Sequence, residues 1–156
     1  MSSEESFLNE IKSVFGEKVI ESKLFKRRIF LKVSPEDYYK LIEFLVKEKG
    51  LYHLETMTAT ELKDGIEIMA HLGVSTSVSV KTIVDKNSPK IASLCNLIPG
   101  AEFYEREIMD LLGVQFEGHP NPKRFVLPQD WPSDIHPLRK SFETRHNQPL
   151  RNVGGE

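Results

Sequence analysis

The stretch whose acids and histidines could be offered as an active site is residues 101–142, AEFYEREIMDLLGVQFEGHPNPKRFVLPQDWPSDIHPLRKSF. The acids are Glu102, Glu105, Glu107, Asp110, Glu117, Asp130 and Asp134, with His119 and His136 among them. Glu107 and Asp110 are three apart, so on a helix their carboxylates can approach, share a proton or bind a metal. The enzymatic reading is a stand-alone metal-dependent hydrolase using His119, His136, Asp130, Asp134 or Glu107. The spacing does not favour it. The two histidines are far apart, each precedes a proline that pushes it towards extended backbone, and no helix holds them as a pair. The plainer reading is a solvated helix face with i,i+4 ion pairs, Glu102–Arg106 and Arg106–Asp110.

Other catalytic motifs are missing. There is no glycine-rich phosphate loop, no G-x-S-x-G and no Cys–His nucleophile pattern. The single cysteine, Cys95, excludes an internal disulfide and a four-cysteine zinc or iron–sulfur site held by this chain alone. Its apolar flanks (SLCNLI) suit a small buried hydrophobe. The expected assignment is therefore no catalytic, cofactor-binding or metal residue in this chain.

The elements that position residues 101–142 come before them. A length of 156 residues suits one domain, and 39% apolar with 28% charged residues marks a globular chain. A net charge of −2 argues against nucleic-acid binding through bulk positive charge. The acidic amphipathic N-terminus lacks the basic and long apolar regions of a secretory signal. No run approaches the ~18 apolar residues of a membrane span. The expectation from these features is a cytosolic, soluble chain that can still sit on a membrane complex by binding a partner.

Ser2 and Glu5 form a capping-box pattern before Phe7, Leu8, Ile11, Val14 and Phe15 at helical spacing, with Gly16 to stop the helix. Residues 18–22 and 28–33 read as strands. Ser34-Pro35-Glu36-Asp37 starts a second helix with the stripe Tyr38, Leu41, Ile42, Leu45 and Val46, ended by Gly50. Residues 51–63 and 66–73 flank Asp64-Gly65, which favours a two-residue type I′ turn. Ile66, Ile68, Ala70, Leu72 and Val74 share one strand face. Residues 76–84 make a third strand, 89–97 a short helix, and 101–112 a last helix capped by Gly113. The predicted fold is α+β: a two-layer domain with a mostly antiparallel sheet, helices packed on it and a long irregular C-terminal tail. Residues 1–117 form the platform and 118–156 an extended partner-binding tail. Six of the nine prolines lie at or beyond Pro120, which stiffens that tail. Trp131 and the doublets Lys123-Arg124 and Arg139-Lys140 have the composition of an interface arm docking on an acidic surface.

Glu105-Arg106-Glu107-x-x-Asp110-Leu111-Leu112-Gly113-x-x-Phe116-x-Gly118-His119-Pro120 resembles the signature of the C (30-kilodalton) subunit of complex I, the NADH:quinone oxidoreductase. Arg124-Phe125-x-Leu127-Pro128-x-Asp130-Trp131 and Pro137-Leu138-Arg139-Lys140 continue the resemblance in order. It departs at Leu112, where an aromatic is common, at Asn121-Pro122-Lys123 and at Ser141-Phe142-Glu143. The same subunit family occurs in energy-converting membrane-bound NiFe hydrogenases. The resemblance implies a non-catalytic peripheral-arm subunit of an electron-transfer complex. It implies docking on a large hydrogenase-like catalytic subunit, beside a small iron–sulfur subunit, with iron–sulfur clusters and any NiFe centre carried by those partners. It places Glu105, Arg106, Glu107, Asp110, His119, Arg124, Trp131, Arg139 and Lys140 at the subunit interface.

Overall fold

A computed structural model describes residues 3–143. Helix α1 (Ser3–Phe15) and a 3-10 turn (Gly16–Lys18) lead into strands β1 (Val19–Phe25) and β2 (Arg28–Val33). Helix α2 (Pro35–Lys47) precedes the meander β3 (Leu54–Glu61), β4 (Ile66–Leu72) and β5 (Ser77–Val84). Short strands β6 (Lys90–Ala92) and β7 (Gln115–Glu117) bracket helix α3 (Ala101–Leu112). The main sheet runs β1-β2-β5-β4-β3 and is antiparallel except where β2 pairs β5 in parallel. This is the α+β class read from the sequence, including the mostly antiparallel sheet.

Period-two alternation sends Ile29, Leu31 and Val33 of β2, Ile66, Ile68, Ala70 and Leu72 of β4, and Val78, Val80 and Val84 of β5 to one buried face. Leu8 and Ile11 of α1, the whole expected stripe of α2, and Ala101, Ile108 and Leu112 of α3 close the same core from above. The start of α2 matches its sequence signal: the Ser34 hydroxyl accepts from Asp37 N–H at 3.3 Å, and Pro35 opens the helix.

Several expectations are corrected. Residues 89–97 are not a helix. Lys90–Ala92 pairs in parallel with Gln115–Glu117, with Ile91 opposite Phe116. The N–H groups of Leu94 and Cys95 then go to the Glu105 carboxylate and the Ser93 hydroxyl, so side chains replace the helical carbonyl acceptors. Val74 leaves the sheet and is 85% exposed in the β4–β5 loop, and Val14 is also exposed. Ser2 lies outside the described residues, as do residues 144–156 of the tail.

The β3–β4 connection is not a two-residue type I′ turn. Glu61 pairs with Ile66, and residues 62–65 form a loop closed by Leu62 N–H to the Gly65 carbonyl at 2.7 Å. Neither Asp64 nor Gly65 has positive φ. Glycine is required at 65 for room: a Cβ there would lie 2.5 Å from the Val84 carbonyl oxygen and 2.6 Å from the Ile83 side chain. Gly65→Ala is expected to lower stability by roughly 1–3 kcal/mol through this overpacking. Urea denaturation checks it; an unchanged midpoint would show that the loop relaxes freely.

Candidate functional site

Helix α3 ends at Gly113, whose left-handed backbone (φ 72°, ψ 24°) turns the chain and donates its N–H to the Met109 carbonyl at 2.9 Å. The last carbonyls of a helix lack intrahelical donors. Here the returning arm supplies them. His136 Nδ1–H donates to the Asp110 carbonyl at 2.9 Å, Leu138 N–H to Leu111 at 3.0 Å, and Arg139 Nε–H to Leu112 at 2.6 Å. Arg139 also places a cation at the negative end of the helix dipole. Its Nη1 donates to the Lys86 carbonyl at 2.9 Å and lies 3.6 Å from a Glu61 carboxylate oxygen. Lys140 N–H donates to the same carboxylate, and this bond, with Arg139 beside it, holds the Glu61 carboxyl below its ordinary range.

Asp110 fastens the middle of the arm. One oxygen, Oδ2, accepts from the N–H groups of Phe125, Val126 and Leu127 at 2.9, 2.8 and 3.1 Å. Arg124 sits 4.0 Å from the other oxygen and donates to the Trp131 carbonyl at 3.1 Å. Arg106 fastens the start of the arm, donating to the carbonyls of Lys123 at 2.9 Å and Arg124 at 3.1 Å. Its expected pair with Glu102 is present at 3.6 Å. Its expected pair with Asp110 is not: the Asp110 carboxylate turns to the arm's backbone donors instead, which offer three charge-assisted bonds.

Glu105 is fully buried beneath this layer. It accepts from the Ser93 hydroxyl at 2.6 Å, Leu94 N–H at 2.6 Å and the Cys95 thiol at 3.4 Å. Burial raises its pKa above the ordinary carboxyl value, against the opposing pull of these donors and of His119. Burial likewise pushes the Cys95 thiol up to about 11. The Tyr38 hydroxyl is buried without a hydrogen-bond partner among the described residues, and burial with the charge of Glu105 raises its pKa.

Cys95 Sγ, a Glu105 oxygen and a His119 ring nitrogen all lie within 4.8 Å of one another, a trio of donor types that suits zinc. The hydrogen bonds do not suit a ligand set. Asn121 N–H donates to His119 Nδ1 at 3.0 Å, so the ring proton sits on Nε2, 3.2 Å from the Glu102 carbonyl. A metal ligand needs that Nε2 lone pair free. Both Glu105 oxygens already accept, and the thiol is protonated. The arrangement is a buried carboxyl with its donors saturated.

The structure does not gather the residues of the hydrolase reading. His119 and His136 serve separate anchors, and Glu107, Asp130 and Asp134 are exposed. Of the expected interface residues, Glu105, Asp110 and His119 are buried, while Arg106, Arg124 and Arg139 direct their guanidinium groups to the chain's own carbonyls. Trp131 folds onto its own arm, with Nε1–H donating to the Ile135 carbonyl at 2.8 Å and Phe142 alongside. Glu107 and Lys140 have exposed side chains. Ser93 and Glu61 complete the site, and sequence reasoning does not place them in it; both reach it only through long-range packing.

The last helix of this α+β platform is thus capped by a returning arm, with Glu105, Asp110, His119 and the three arginines bonded within the chain. The family model described as respiratory-chain NADH dehydrogenase, 30 Kd subunit, matches residues 31–148, and the chain belongs to that family. It is 36% identical over 132 residues to the C subunit of NADH-quinone oxidoreductase from Moorella thermoacetica, covering 81% of this chain and 83% of that one. It is 32% identical over 117 residues to the C/D subunit of NADH-quinone oxidoreductase from Escherichia coli, covering 74% of this chain and 19% of that longer one. Its fold superimposes with a TM-score of 0.81 on a chain from the membrane-bound sulfane sulfur reductase, an archaeal respiratory membrane complex, at 23% identity over 99% of this chain and 97% of that one.

Two outcomes follow for the site. Asp110→Ala strands three backbone donors, partly open to water, and is expected to cost about 1–3 kcal/mol and to speed proteolysis within residues 120–128; limited trypsin digestion and thermal melts read both. Glu105 has a folded pKa above its ordinary value near 4.5. Its contribution to stability is therefore complete below that value and is lost as pH rises through the folded pKa. Glu105→Gln lacks this loss, so its melting temperature relative to the native chain should rise between acid and neutral pH. A flat difference would contradict the raised pKa.

Proposed function

We propose that the chain is a non-catalytic, peripheral subunit of a membrane-bound multisubunit electron-transfer complex of complex I or membrane-bound NiFe hydrogenase type. In this reading it docks on the large catalytic subunit. The observation that carries the reading is the family match across residues 31–148. A second one supports the choice of neighbour: in the Escherichia coli relative one chain bears both the C and the D designation, as expected of subunits that lie side by side. The internal use of Glu105, Asp110, His119 and the three arginines agrees with an assembly role, because these groups bond within the chain rather than face a substrate. Electron transfer then belongs to the partners: iron–sulfur clusters in the small and other subunits, and a NiFe centre in the hydrogenase branch. Among the described residues no helix is long and apolar enough to cross a membrane. Attachment at the cytoplasmic face through partner subunits fits that fact.

The test is co-expression of the tagged chain with the large and small subunits of such a complex from the same organism. Stoichiometric recovery of the large subunit through affinity and size-exclusion steps is expected; elution of the chain alone would overturn the proposal. Deleting residues 118–156 is a poor substitute, because it also removes the donors that close α3.

A further inference from the structure

Besides Ile135 and Leu138, three large apolar side chains of α3 and the arm stay in water: Phe103 at 54% exposure, Phe125 at 48% and Val126 at 48%. They are held in place. The Phe103 and Phe125 rings meet at 5.3 Å between centroids, and the Arg106 guanidinium lies 5.9 and 5.0 Å from them. Arg106 is itself tied to Glu102 and to the Lys123 and Arg124 carbonyls. The backbone of Phe125 and Val126 is fixed by the Asp110 carboxylate. Two aromatic rings around an arginine, pre-ordered before any partner arrives, lose little conformational freedom on binding, which is the condition for an interface hot spot.

We infer that Phe103, Phe125 and Val126 form the centre of the contact with the large subunit, and that the partner surface presents an apolar side chain flanked by a carboxylate. The inference rests on the proposed function and goes beyond it by separating the docking surface from the buried ion-pair residues beneath. Charge gives the rim its sign. Lys123, whose carbonyl accepts from Arg106, has an exposed side chain with no acidic partner among the described residues, so a partner carboxylate would complete it. In such an arrangement the rings supply the binding free energy and Lys123 the orientation and salt dependence.

The experiment compares the native chain with Phe103→Ser/Phe125→Ser and with Lys123→Glu, each full length and co-expressed with the large subunit. A third variant, Phe25→Ser at the β1 edge, is the control. The double variant should recover at least ten-fold less large subunit while its melting temperature stays close to native. Lys123→Glu should weaken recovery several-fold and reduce its salt dependence, and Phe25→Ser should recover the native amount. Full recovery by the folded double variant would overturn the inference and leave the proposed function standing. If the double variant does not fold, Lys123→Glu decides: recovery and salt dependence like the native chain's would overturn the inference. A native chain that recovers no large subunit overturns the proposed function, and the inference with it. Sedimentation of the chain alone as a dimer that the double variant breaks to monomer would overturn the choice of occupant in favour of a second copy.

Discussion

The end of α3 is where this fold is decided. A helix buried along one side cannot leave its final carbonyls without donors when the next strand turns away at once, as β7 does after Gly113. A solvent-facing helix end would use water. Here His136, Leu138 and Arg139 return from far along the chain to cover the turn, and Asp110 in the same turn grips the segment between. The interaction is reciprocal. The described part of the arm beyond β7 has no helix or strand of its own, so its backbone groups need the platform as much as the helix end needs the arm. Prolines reduce the number of conformations given up in making that contact.

The second layer is the buried carboxyl of Glu105. It ties α3 to the segment that follows β6 by three donors within three consecutive residues, Ser93, Leu94 and Cys95. A hydrophobic residue would fill the space but leave the Leu94 amide and Ser93 hydroxyl without partners, each costly in a dry interior. The carboxyl therefore fixes how α3 sits on the platform, and through Asp110 and Arg106 on the same helix it fixes the arm.

How much of this could be read from the residues varied with the range of the forces involved. The second helix was legible because its signals are local: Ser34 and Pro35 at the start, five apolar residues on one stripe, Lys47 near the end. The meander was legible from alternation. The parallel pair β6–β7 was not, because its three-residue strands are specified by a partner on the far side of α3, and Ile91, Leu94 and Ile98 mimic a helical period. Gly65 suggested a turn by its type when its true constraint is the nearness of β5. In the site, Glu105 lies three residues before Ile108 and seven before Leu112, so periodicity does put it on the buried face. A carboxyl on that face conflicts with a dry core, and only the donors from residues 93–95 resolve the conflict. Asp110 shows the same limit: an arginine one turn away was the local candidate, and three distant amides won.

The closure of α3 by residues 136–139 also sets an order of events when the chain is made. Synthesis runs at about 5–20 residues per second, so the helix end waits about 1–5 s for its covering residues to be added. During that interval the sheet and first two helices are already available to pack, while the turn at Gly113 and the carboxyl of Asp110 remain open to water. A chain that has reached Arg139 is thus the first species in which α3 is finished at both ends. Its outward rings over Arg106 settle within the same interval, once Phe125 has been added and gripped. Readiness for assembly is tied in this way to synthesis of the arm rather than to the folding of the sheet.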